Sequence, residues 1–99
     1  MITKQYRKSV ESLAKTIHPL ADRASRPTHA ILIRVAIVAL CESARSRVDR
    51  MAAVDRALFL LTTVANMMEA SDTDSELCAD VDAVADKLVT LWQTLAGNR

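Results

Sequence analysis

Residues 77–95, LCADVDAVADKLVTLWQTL, decide the fold class of this 99-residue chain. Large apolar side chains return there at alternating spacings of four and three residues, and this rhythm places them on one face of a helix of about five turns. A β-strand would instead alternate apolar and polar residues at every second position. The stretch therefore predicts an amphipathic α-helix. Its apolar stripe consists of Leu77, Val81, Val84, Leu88, Leu91 and Leu95.

The N-terminal segment repeats this rhythm. Its apolar residues also follow spacings of four and three, so they form a second helical stripe. Pro19 lies inside the segment and leaves two outcomes, a continuous, kinked helix or a break at His18. We favour the continuous helix, because the stripe keeps its register through the proline. This second stripe consists of Tyr6, Val10, Leu13, Ile17, Leu20 and Ala24.

Two further helices are predicted between these segments. Pro27 separates the first of them from the N-terminal helix, and Thr28 is its expected N-cap. From Ala30 to Cys41 the chain is apolar almost all the way round, with Arg34 as the only charge. This pattern is typical of a central helix that its own chain or a second copy packs on most sides. The next run, residues 51–68, is apolar on about half of its circumference.

The connection between these two helices is open to two interpretations. Residues 42–50 contain neither glycine nor proline, so one helix could run from Thr28 to Met68. Such a helix would be roughly 60 Å long, which a compact monomer cannot bury. The alternative is a turn near Arg45 to Arg47. We favour the turn, because Ser46-Arg47-Val48-Asp49 resembles a capping box placed before the next apolar run.

The composition supports a helical fold. One glycine and two prolines among 99 residues leave little material for the frequent turns of a β-sandwich or barrel. The hydrophobic fraction of 51% is sufficient for a core. We predict an all-α protein, a single helical domain spanning residues 1–99 that forms a bundle of three to four helices with short links. We also expect a dimer, because the apolar surface exceeds what one buried face per helix requires.

The charges divide between the two halves of the chain. Residues 1–56 carry a net charge of +6, from eleven basic and five acidic residues. Residues 57–99 carry a net charge of −5, from two basic and seven acidic residues. Such asymmetry bears on association rather than on fold. We expect antiparallel or head-to-tail docking, in which the basic end of one copy meets the acidic end of another.

The usual sequence signatures of catalytic, metal and cofactor sites are missing from the chain. Its single glycine, at position 97, leaves no phosphate-cradling loop. Neither His18 nor His29 has the glutamate three residues earlier that a di-iron helix pair would supply. Each histidine lies beside a helix break, where a capping or surface role is typical. Cys41 and Cys78 are interpreted as buried thiols, with a disulfide or redox pair as the alternative. We expect no enzyme activity, no catalytic residue, no cofactor and no bound metal.

Protein binding is the function that these features favour. Phe59 falls among polar residues on its helix, and an exposed aromatic side chain is a common anchor of protein interfaces. We predict a small non-catalytic interaction protein, acting as a regulator, inhibitor, adaptor or chaperone. It is expected to bind an unidentified protein partner and to form a homodimer. The predicted partner-binding residues are Phe59, Asp55, Asn66, Met67 and Met68.

Nucleic-acid binding, through the basic N-terminal half, is the alternative. The densest basic run could contact phosphates if its side chains shared one face. Acidic residues within the same run, Glu42 and Asp49, are spaced to pair with these cations along a helix. Aromatic residues for base stacking are also scarce. The candidate residues are Arg45, Arg47, Arg50 and Arg56.

The apolar runs are too short to predict a membrane span. The longest, from Ala30 to Cys41, has twelve residues with a charge inside it, whereas a span needs about 20. No apolar signal segment follows the basic N-terminus before Pro19. We therefore expect a cytoplasmic protein without membrane association.

Overall fold

The structure, a computed structural model, describes residues 2–41, 46–71 and 75–97, with side chains from residue 4 onward. Within these ranges the chain is almost entirely helical, which confirms the all-α prediction at its upper count of four helices. The helices are α1 (Ile2–Arg23), α2 (Pro27–Cys41), α3 (Arg47–Ser71) and α4 (Ser75–Gly97).

The four helices form an up-and-down bundle. Short links make consecutive helices antiparallel neighbours. Among the described residues α1 packs on α2, α2 on α3 and α3 on α4, and α4 returns to close the bundle against α1. The bundle measures 41 by 20 by 16 Å. Its "terminal end" carries the beginnings of α1 and α3 and the ends of α2 and α4, and the other end is called the "opposite end".

The stripes predicted for α1 and α4 form two sides of the core. Every member of the α4 stripe is buried except Leu91, which is partly buried, and the α1 stripe is buried from Tyr6 to Leu20. The centre of the core is fully closed to solvent, because Ile17, Leu61 and Leu88 have no exposed surface. The hydrophobic period therefore predicted the inward faces of both helices correctly.

The prediction that α1 continues through Pro19 is confirmed. Proline lacks the N–H that would donate to the Lys15 carbonyl, so it removes one helical hydrogen bond. Pro19 is exposed, and the freed carbonyl can therefore turn towards water. At the helix end the N–H of Ala24 donates to the Ala21 carbonyl at 3.3 Å, which tightens the last turn.

The predicted break between the second and third helices is also confirmed. α2 ends at Cys41 and α3 begins at Arg47. The Ser46 hydroxyl accepts a hydrogen bond from the Asp49 N–H at 3.1 Å, which is the N-cap contact that the capping-box pattern predicts.

The predicted N-cap of α2 is wrong. The helix begins at Pro27, one residue before Thr28. Proline is favoured at the first helical position because its fixed φ suits the helix and its missing N–H would have no intrahelical partner there. The first intrahelical bond runs from the Ala30 N–H to the Arg26 carbonyl at 3.2 Å.

Candidate interaction surface

The outward face of α2 carries large apolar side chains. Ile31, Val35 and Val38 are 57%, 43% and 62% exposed, at spacings of four and three residues that place them on one line along the helix. We call these three residues the α2 stripe. The inward face of the same helix carries Ile33 and Leu40 together with three alanines. These buried alanines are Ala30, Ala36 and Ala39.

We expected α2 to be packed on most sides by its own chain or by a second copy, and the first of these alternatives is wrong. The helix has large apolar residues on both faces, and the chain covers only one face. A surface helix of a monomeric protein normally turns its polar residues outward. The α2 stripe is therefore apolar surface that the described part of the chain leaves open to solvent.

The charge beside the α2 stripe is neutralised within the chain. Arg34 is the only charged residue of α2. Its Nη2 lies 3.4 Å from Oδ1 of Asp22 on α1, and the two side chains are 57% and 66% exposed. A pair this exposed contributes little to stability. It leaves the α2 face without net charge.

A second exposed face lies on α3. Phe59 is 69% exposed and lies at the centre of the helix's solvent side. It borders a shallow hollow of about 500 Å³, and Asn66 is exposed two turns further along. We call this surface the Phe59 face. The other residues lining the hollow are Asp55, Arg56, Leu58, Leu60 and Thr62.

Three of the five predicted partner-binding residues lie on the Phe59 face. Phe59, Asp55 and Asn66 are exposed. Met68 is fully buried in the core, so its inclusion is corrected, and Met67 is only partly exposed. Met68 lies seven residues after Leu61, on the same side of α3, so its position in the helix was the available signal for its burial.

The predicted basic residues of the third helix separate. Arg47 and Arg56 are exposed, and Arg45 lies outside the described residues. Arg50 is only 9% exposed, and its guanidinium carbon lies 5.7 Å from the centroid of the Tyr6 ring on α1. This distance is that of a cation–π contact. Arg50 is thus corrected from a phosphate-binding candidate to a structural residue.

The fold converts the charge split of the sequence into a polarity along the bundle. Exposed cations of early α1 and early α3, a diagonal pair of helices, lie at the terminal end together with Asp49. They are Lys4, Arg7, Lys8 and Arg47. The opposite end combines Arg23 and Arg26 with a larger set of exposed acids. These acids are Asp22, Glu69, Glu76, Asp80 and Asp82.

One ion pair joins the basic helix to the acidic helix. Nη1 of Arg23 lies 2.6 Å from Oδ2 of Asp80, so α1 and α4 are linked at the opposite end. The two chain halves with opposite charge are therefore neighbours inside one molecule. Part of the attraction expected between copies is satisfied within the bundle.

Besides Arg50, the polar side chains of Tyr6 and His29 are buried in the described part of the bundle. The Tyr6 hydroxyl has no hydrogen-bond partner among the described residues. Burial raises the pKa of Tyr6, and the nearby Arg50 charge opposes part of that rise. His29 is 2% exposed, and its Nδ1 likewise has no partner in the described ranges. The predicted capping or surface role therefore fails for His29, whereas His18 is exposed.

The two cysteines differ from the prediction of buried thiols. Cys41 is exposed at the end of α2, and Cys78 is partly buried on α4. The Cys78 thiol donates to the Ala65 carbonyl at 3.4 Å. Burial raises the pKa of Cys78, and the neighbouring carboxylates of Asp82 and Glu69 raise it further. A raised pKa keeps the sulfur protonated and unreactive.

A groove of about 630 Å³ runs between α1 and α4 near the terminal end. Its floor is apolar, formed by residues such as Tyr6 and Leu95. Hydroxyl groups and the amines of Lys8 and Lys87 line its rim. The described residues contain no group of three or more His, Cys, Asp or Glu side chains that could hold a metal ion.

Among the helices that the structure describes, one is long and apolar enough to cross a membrane by length and composition, namely α3. The core helix of a bundle meets the same criteria, and α3 packs against both α2 and α4.

No protein-family model, curated protein or solved structure matches the chain.

Proposed function

We propose that this protein is a small non-catalytic interaction protein that binds a partner protein through the Phe59 face. It would act as a regulator, inhibitor, adaptor or chaperone by occupying its partner's surface. The observation that carries the proposal is the 69% exposure of the only phenylalanine in the chain.

The surroundings of Phe59 support this role. Aromatic residues concentrate binding energy at interfaces when polar neighbours form a rim around them. Asp55, Arg56 and Thr62 supply such a rim beside the hollow. The backbone under the ring is regular helix, so the anchor is held on a rigid element and its binding requires little loop ordering.

The proposal is tested with Phe59→Ala and a matched control, Val48→Ala. Val48 lies on the same helix and is 71% exposed, so the control also removes an exposed apolar side chain. Each protein is immobilised and exposed to a nuclease-treated lysate of its native host, and retained proteins are quantified by mass spectrometry. We expect a partner retained by the wild type and by Val48→Ala but depleted at least about 30-fold by Phe59→Ala, as for loss of about 2 kcal/mol at an anchor.

Folding must be unchanged for this comparison to be valid. Because Phe59 is mostly exposed and alanine favours helices, Phe59→Ala should keep its helical circular dichroism and its unfolding midpoint. A partner retained equally by all three proteins would contradict the Phe59 face as the binding site. Loss of folding in Phe59→Ala would show that the ring is part of the core.

The second candidate function is nucleic-acid binding at the terminal end. The observation that favours it is the presence of Lys4, Arg7, Lys8 and Arg47 at one end of the bundle. Fluorescence anisotropy with a generic duplex at low salt tests it. Binding through these cations should weaken steeply with salt, and Lys8→Gln should reduce the slope by about 1. Absence of binding at low salt would remove this candidate.

A further inference from the structure

We infer that the α2 stripe is the contact surface for a second copy of this chain, with the two α2 helices docked antiparallel. The inference concerns Ile31, Val35 and Val38 and does not depend on the Phe59 face. It deepens the expectation of a dimer by assigning the surface and the relative orientation of the two copies.

Large apolar side chains lie on both faces of α2. Three β-branched residues point outward at 43–62% exposure, while the inward face combines Ile33 and Leu40 with three alanines. The larger side chains would contribute more hydrophobic stabilisation if they were buried. These three β-branched residues are not buried in the core of their own chain. This arrangement is expected of a helix whose outward face packs against another molecule.

The net charge of the outward face of α2 is compatible with self-association. In a two-fold symmetric interface each patch meets its own copy, so any net charge would face its like. The only charge of α2 belongs to Arg34, which Asp22 neutralises at 3.4 Å. A face that docks against its own copy must be neutral or carry internally paired charges. The charge on the outward face of α2 is internally paired. An oppositely charged partner would instead call for a charged rim.

The spacing within the α2 stripe fits an antiparallel contact. Ile31 and Val38 lie at equal distances from a point between Arg34 and Val35. An antiparallel two-fold axis at that point places Ile31 of one copy against Val38 of the other, with the Arg34–Asp22 pair beside the axis. The spacings of four and three residues match the ridges that helices interdigitate at close approach.

The charge polarity along the bundle favours antiparallel over parallel docking. Side-by-side antiparallel copies bring the basic terminal end of one next to the acidic opposite end of the other. Parallel copies would place like charges together at both ends. Electrostatic complementarity of this kind favours one orientation and increases the association rate.

The α2 stripe alone is a small interface. A standard interface buries about 800 Å² per partner. The 15 residues of α2 span about 22 Å of the 41 Å bundle, so burial of that area also requires the flanks of α1 and α3. The apolar centre is a single line of three side chains, so we expect a dissociation constant in the micromolar range.

The first experiment is sedimentation equilibrium from low micromolar to near-millimolar concentration. The wild type should reach twice the 10.9 kDa monomer mass. Val35→Asp should weaken dimerisation at least tenfold, and the control Val48→Asp, at a valine of α3 that is 71% exposed against 43% for Val35, should not. Val35→Thr, which keeps the shape, should have an intermediate effect and guards against a variant that fails to fold. High salt should weaken the wild-type dimer.

The second experiment determines orientation. In a background of Cys41→Ser and Cys78→Ala, the variants Ile31→Cys and Val38→Cys are treated with a short bis-maleimide, separately and mixed. Antiparallel docking predicts efficient cross-linking only in the mixture. Cross-linking of each variant with itself would overturn the orientation. A wild-type monomer at all concentrations, or a dimer dissociated by Val48→Asp but not by Val35→Asp, would overturn the assigned surface.

Discussion

Ile31 and Ile33 provide an internal comparison of the two faces of α2. They are the same residue type on the same helix, two positions apart, yet Ile31 is 57% exposed and Ile33 is fully buried. Replacing each by alanine removes the same atoms, so the difference in unfolding free energy reports only their surroundings.

The magnitudes follow from burial. Ile33→Ala leaves a cavity in a closed core and should cost about 2–5 kcal/mol. That loss corresponds to a fall in melting temperature of at least about 8 °C for a domain of this size. Less than half of Ile31 is buried, so less than half of the roughly 1.5–3 kcal/mol for full burial applies. The better helix propensity of alanine offsets up to about 0.5 kcal/mol of it. The net cost of Ile31→Ala should therefore stay below about 1 kcal/mol.

Urea unfolding followed by far-UV circular dichroism measures both values, at protein concentrations low enough to keep the chain monomeric. At high concentration the wild type should gain stability from dimerisation by mass action, and Ile31→Ala should lose that gain. Equal costs for the two substitutions at low concentration would refute the outward placement of Ile31. Retention of the full concentration dependence by Ile31→Ala would refute its role in the dimer contact.

Three further predictions concern the fold. Tyr6→Phe should raise stability at neutral pH by about 1 kcal/mol, because it removes a buried hydroxyl without a hydrogen-bond partner among the described residues and keeps the ring under Arg50. The raised pKa of Tyr6 adds stability that is complete below its unfolded value of about 10 and is lost as pH rises through the folded value. Urea titrations at neutral and alkaline pH should thus show a steeper alkaline loss in the wild type than in Tyr6→Phe. Ser46→Ala should cost about 1 kcal/mol in the same urea assay by removing the N-cap of α3, and Ser46→Asp should restore most of it. Asp80→Asn should cost less than about 1 kcal/mol and lose its effect at high salt, since the Arg23–Asp80 pair is exposed, and a larger salt-independent cost would contradict that assignment.

The reliability of the sequence predictions depended on how clearly each helix separates apolar from polar residues. α1 and α4 carry one apolar stripe and one charged face, so their buried residues were predictable from spacing alone. The Ser46 capping pattern likewise located the start of α3, because the hydroxyl satisfies a backbone N–H that no helical bond reaches.

The buried face of α2 could not be predicted from spacing alone. Two sets of residues in this helix satisfy helical spacing. One set contains Ile31, Val35 and Val38, and the other contains Ile33 and the buried alanines. A helix that is apolar nearly all round has no preferred phase, so only its contacts with neighbouring helices decide which set is buried. The small size of the alanines was the available signal, because close packing of α2 on its neighbours favours short side chains on the buried face.

The errors at single residues have different causes. Met68 lies seven residues after Leu61 and Arg50 lies seven residues before Ala57, so both share the phase of the buried face of α3, and the charge of Arg50 concealed this. Cys41 lies three residues after Val38 and therefore on the exposed side of α2, whose phase the sequence left open. His29 follows a helix start, and its burial depends on neighbouring helices that local pattern does not describe.

The α2 stripe is our proposed contact surface for a second copy of the chain. The most direct test of this proposal is a dilution series followed by amide and methyl NMR, from near-millimolar to low micromolar protein. We predict concentration-dependent shifts concentrated at Ile31, Val35 and Val38, with Val89 on the exposed side of α4 unchanged. Shifts confined to α3 or to the α1–α4 groove, or none at any concentration, would contradict the claim.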